Sequence, residues 1–177
     1  MSYAQLIGIF PGTQKETKVL VELRNSHGFC PVVWDELSQR WLGTEPHRWL
    51  LGDDKALWKL ATDPRLPIHQ RAVMAMTYDN AYIKRSDFAR AASDLRAWLV
   101  DFPKRDGYVN HIEQMAEVFE TDPKVPAIGI YGTSVGENLW ERTYHDYGNI
   151  ERRKRFDWSS AWDLYDALDK PVEAASR

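Results

Sequence analysis

The pattern most suggestive of covalent chemistry in this chain of 177 residues is Gly132-Thr133-Ser134-Val135-Gly136, a G-x-S-x-G sequence directly after an apolar run at residues 126–131. In a nucleophile elbow the small residues permit a strained turn that lifts the serine above a sheet, where a histidine can take its proton. The one histidine downstream is His145, and the acids between it and Ser134 are Glu137 and Glu141, close spacings for a triad. An elbow also belongs to a parallel sheet of βα units, whereas the helical patterns before this motif follow one another without an intervening strand.

A second chemistry is written in Arg152, Arg153, Lys154 and Arg155, with Trp140, Tyr144, Tyr147 and Trp158 around them. Arginine interleaved with aromatic rings suits an acidic protein surface or a single-stranded nucleic acid, because flat rings bury much area while losing few rotamers. Glu151 and Asp157 flank the run, and Asp163, Asp166 and Asp169 in the next helical pattern are its possible internal partners. The 8 Trp, 8 Tyr and 6 Phe are more flat side chains than a core of this size needs. Most tryptophans have a place in helices or between layers, leaving Trp140 and Trp158 as recognition candidates.

Other chemistries lack their residues. His27, His47, His69, His111 and His145 are scattered, with no spacing suited to a metal, and the lone cysteine, Cys30, sits in an apolar run as a small hydrophobe. Neither glycine-rich phosphate loop occurs. Asp35-Glu36 and Asp53-Asp54 fall where helix starts favour negative charge. The stretch Thr77-Tyr78-Asp79-Asn80-Ala81-Tyr82 reads as a helix-to-helix junction whose polar and aromatic groups satisfy loop backbone or line a pocket.

The elements that must hold these residues read as α+β in a single domain, 1–177: residues 1–52 mainly β, 53–122 helical, and 123–177 a strand, an irregular loop and a final helix. Residues 4–10 and 18–24 form a hairpin, the second strand alternating Val19, Val21 and Leu23 with charges, broken only at Leu20. Residues 29–34 extend it to a three-stranded antiparallel meander, with Pro31 at an edge or bulge. A short helix follows Asp35 and stops at Gly43.

Four amphipathic helices come next. They begin near Asp53 or Asp54, at Pro67, at Ser86 and at Asn110, and prolines follow three of them. The strand at 126–131 then returns to the sheet, and Ser159 or Ser160 caps the closing helix.

Charge is balanced, at a formal −3, so totals indicate neither a basic face for DNA nor an acidic mimic of it. No apolar run approaches the ~18 residues of a membrane span, and no leader pattern opens the chain, so a cytoplasmic protein is expected. The function expected is non-catalytic binding of another protein, as a small inhibitor, immunity, anti-defence or regulatory protein of bacterial or phage type, without cofactor, metal or membrane partner. Trp140, Tyr144, Tyr147, Arg152, Arg153, Lys154, Arg155 and Trp158 are the expected surface. The alternatives are a small serine hydrolase using Ser134 with His145, and a nucleic-acid-binding accessory protein.

Overall fold

A computed structural model describes residues 3–10, 17–47, 55–78, 80–132, 143–146, 149–152 and 161–170. The fold is α+β, built on a five-stranded mixed sheet. β1 (Tyr3–Ile9) and β2 (Thr17–Arg24) form the expected hairpin, β4 (Ala127–Tyr131) pairs antiparallel with β1, and β3 (Ala81–Lys84) pairs antiparallel with β4. The two-residue β7 (Trp162–Asp163) completes the order β2-β1-β4-β3-β7 as the sheet's parallel partner to β3. A separate antiparallel pair, β5 (Thr143–Asp146) and β6 (Asn149–Arg152), joins no strand of the larger sheet.

Period-2 alternation sorts the sheet into two faces. Ala4 and Leu6 of β1, Ile83 of β3, and Ile128 and Ile130 of β4 enter the main core, while Ile7, Ile9, Ala127 and Tyr131 form a smaller buried cluster. β1 and β4 are covered on both faces, which is why their sequences are nearly continuously apolar. Leu20, the break in the alternation of β2, is the extra residue of a β-bulge: Leu6 faces Val21, and the next residue, Ile7, faces Val19. The slip turns Leu20 onto the core and leaves Val19 exposed. Gly8 lies beneath this bulge, where a Cβ would come within 2.8 Å of Val125 and 3.2 Å of Leu20.

The meander's third strand is a correction. Residues 30–37 form helix α1 (Cys30–Leu37), which opens into a wider π turn at Ser38–Leu42 and stops at left-handed Gly43. Pro31 occupies the first helical turn, where its missing N–H costs nothing and its fixed φ suits the helix. Cys30, Val33, Trp34 and Leu37 are the buried stripe at i, i+3, i+4 and i+7. Asp35, expected to start this helix, lies within it.

The helical middle follows the expected order: α2 (Lys55–Lys59), α3 (Ile68–Ala75), α4 (Phe88–Asp101) and α5 (Ile112–Glu120). Between α3 and α4 the junction read as loop contains β3, with Ala81 and Ile83 buried. Ile68, at the start of α3, is exposed. Asn110 starts α5 as expected, its side chain accepting from the Ile112 amide at 2.9 Å. Ser86 does not cap α4; its hydroxyl turns to the neighbouring Asp87 carboxylate, 3.0 Å away.

The closing helix α6 (Leu164–Leu168) starts later than expected, because Asp163 caps it by accepting from the Asp166 amide at 2.9 Å. No helix among the described residues is long and apolar enough to cross a membrane.

Candidate functional site

The sequence candidates divide sharply. Ser134, Trp140, Tyr147, Arg153, Lys154, Arg155 and Trp158 lie outside the described residues. Tyr144, His145 and Arg152 are on the β5–β6 hairpin, whose register sets Tyr144 across from Glu151, His145 across from Ile150 and Arg152 across from Thr143.

The strand leading to Ser134 is antiparallel to both its neighbours, unlike the parallel strand that an elbow requires. Gly132 has its own reason to be glycine. A Cβ there would overlap the Cys30 sulfur, which is buried beside it and closes α1 onto the end of β4.

The acids held available to the basic run are engaged elsewhere. Lys84 lies 3.2 Å from Asp163 and 2.7 Å from Asp166, and Arg90 forks both oxygens of Asp169 at 2.7 Å. Arg90 also stacks over the Tyr165 ring, 4.2 Å from its centre, and the Tyr165 hydroxyl donates to the buried Asp94 at 2.8 Å. Burial raises the Asp94 carboxyl above the usual carboxylate range against the opposing pull of that hydrogen bond, and burial likewise raises Tyr165. Together these contacts fasten α6 to β3 and α4.

A concavity of about 420 Å³ runs between the outer side of α1 and the segment after α4. Its apolar walls are Pro31, Val32, Phe102, Pro103 and Val109, and its rim is charged. Arg105 bonds Glu36 across it at 2.6 Å, and Asp35 holds the His47 ring at 3.0 Å and its backbone amide at 2.6 Å. Tyr108 stands on the rim with 69% of its surface exposed and Val109 with 44%.

His111 braces the wall. Its Nε2 donates to the carbonyls of Arg24 (2.7 Å) and Asn25 (3.0 Å), and its amide donates to Gly28 O at 2.8 Å. Gly28 admits this approach because any Cβ would meet the His111 ring at 2.6 Å.

A continuous line of rings crosses the interior. Trp34 meets Trp58 edge-on at 5.3 Å, Trp58 meets Tyr78 at 5.6 Å, and Tyr78 meets Trp162 at 5.8 Å. Three polar handles on this line are satisfied: Trp34 Nε1 by Thr77 Oγ1 at 3.0 Å, the Tyr78 hydroxyl by Trp58 O at 2.9 Å, and Trp162 Nε1 by Asn80 Oδ1 at 2.8 Å. Trp41 reaches a different network, donating to Gln70, whose amide joins His69 on the Asp101 carboxylate. The hydrogen bond from His69, then that from Gln70, holds Asp101 below its ordinary value.

Thr77, Tyr78 and Asn80 thus order the rings beside strand β3 as well as satisfying backbone. Sequence reading missed the groove because its residues come from separated segments with no common spacing; the one local signal was Tyr108-Val109 standing between Gly107 and the cap Asn110. Among the described residues no group of three or more His, Cys, Asp or Glu side chains is placed to hold a metal. No protein-family model, curated protein or solved structure matches this chain.

Proposed function

We propose that this protein acts by binding another protein in the cytoplasm, as an inhibitor or regulator of that partner. The observation that carries the reading is the groove beside α1: an apolar floor, a rim of paired charges, and an exposed tyrosine and valine standing over it. Protein interfaces have this make-up, with aromatic and arginine side chains around an apolar centre and a polar rim. A second support is the engagement of Asp163, Asp166 and Asp169 by Lys84 and Arg90, which takes up the three acids of the closing helical pattern that follows Arg152, Arg153, Lys154 and Arg155.

The test is affinity capture from the native host with the wild-type chain, with Tyr108→Asp, and with the four basic residues changed to Gln, followed by titration of the purified partner. A partner that binds the wild type and is weakened at least about tenfold by either variant supports the reading. Equal retention by all three chains overturns it. So does a titration in which an oligonucleotide binds, weakens steeply with salt, and accounts for everything captured.

A further inference from the structure

A second concavity, about 360 Å³ and sharing no residue with the groove, opens where the line of rings reaches the surface. Tyr78 and Trp162 wall it, Ala75 and Leu168 floor it, and Arg71 and Lys170 supply its charge. Its chemistry is one-sided. The Tyr78 hydroxyl and the Trp162 indole N–H are spent on Trp58 O and Asn80 Oδ1, so the rings offer carbon surface rather than hydrogen bonds.

Arg71 Nε donates to Ala61 O at 3.2 Å, which steadies the guanidinium at the wall and leaves its outer nitrogens for another acceptor. Among the described residues no carboxylate lies within ion-pair distance of Arg71: Asp63, which feels its charge, is forked by Arg65 with contacts of 2.6 to 3.0 Å, and Asp169 is forked by Arg90. A half-buried cation held by one carbonyl, beside stacked rings and over small apolar side chains, matches a ligand with a flat apolar body and one negative end.

We infer that this cleft binds a small free aromatic carboxylate, its ring laid against Tyr78 and Trp162 and its carboxylate on Arg71, with Lys170 adding charge at the mouth. The bound ring extends the line of aromatics by one member, and the guanidinium fork fixes its orientation. This site is independent of the protein-binding groove.

Naphthalene-2-carboxylate is the probe, titrated by calorimetry into the full chain beside the neutral 2-naphthalenemethanol and an acetylated dipeptide ending in phenylalanine. The acid is expected to bind at least about tenfold more tightly than the alcohol, and Arg71→Gln to abolish that difference. Ala167, exposed on the cleft's edge, supplies a variant that leaves the core alone: Ala167→Trp is expected to block the acid while near-ultraviolet circular dichroism of the other rings is retained. Equal binding of acid and alcohol overturns the assignment, as does acid binding that survives both substitutions or no binding up to about 10 mM. Tighter binding of the peptide than of the acid overturns the choice of a free small molecule.

Discussion

The two concavities differ in how their charges are satisfied. Around the groove beside α1, each charge has a protein partner across or along the rim, Glu36 with Arg105 and Asp35 with His47. In the cleft at the end of the aromatic line, Arg71 rests on a backbone carbonyl and its neighbouring acids are held by other arginines. A rim whose charges already have protein partners keeps its hydration and exchanges those partners at little cost, which suits a broad surface contact. An arginine turned toward aromatic walls gains most from a single anion that displaces its water. The contrast teaches that concavities of similar volume on one fold can be prepared for different classes of ligand.

Four substitutions test that contrast, the largest effect first. Trp34 belongs to both regions, since its helix walls the groove and its ring begins the line that ends in the cleft. Trp34→Ala is expected to lower stability by about 3–5 kcal/mol in urea denaturation and to weaken both sites. An intact cleft in that variant would break the link drawn between rings and cleft.

Gly132→Ala pushes a methyl against Cys30 and is expected to cost about 1–3 kcal/mol, shifting α1 and the groove while naphthalene-2-carboxylate still binds. Asp94→Asn addresses the opposite wall through α6. A carboxyl raised by burial favours the fold while protonated; that contribution is complete below its ordinary value and is lost as pH rises through the raised one. The variant is therefore expected to gain on the wild type as pH rises above the ordinary carboxylate value of 3.8, read as a growing difference in urea midpoint. A constant difference would show that Asp94 carries no such penalty.

The smallest effect belongs to Glu36→Gln, expected to change stability by less than about 1 kcal/mol because Arg105 is largely solvent-exposed. A larger loss would mean that the rim pair is structural and would remove the distinction between the two regions.

Much of the scaffold was legible in residue spacing. The β1–β2 hairpin, the buried strand at 127–131, the stripes of α4 and α5 and the glycine stop after Leu42 all follow from period and turn chemistry. The failures have physical causes. The run at 29–34 is apolar enough for a strand, and Pro31 fits an edge strand or a first helical turn equally well; the helical stripe became visible only by extending the window to Leu37. β3 has four residues, too few for alternation to outweigh the polar and aromatic company of Thr77 and Tyr78.

Ser159 and Ser160 are good caps by type, yet the chain enters β7 first and Asp163 takes the role. Neither concavity could be read in advance, because each is assembled from distant segments and the sequence carries no local sign of which faces will meet. Of the candidate surface near the C-terminus, the described part is the β5–β6 backbone register.

The bulge at Leu20 also bears on self-association. A flat outer strand with unpaired amides is a template on which another chain can add, and a bulge disrupts the even spacing that such addition needs. β2 carries this irregularity together with exposed Lys18, Glu22 and Arg24 at the outer edge of the described sheet. The other edge, β7, is two residues long and runs directly into α6, so it offers almost no ladder. The five described strands thus end on one side in a distorted, charged border and on the other in a stub, and sheet-to-sheet polymerisation is disfavoured at both.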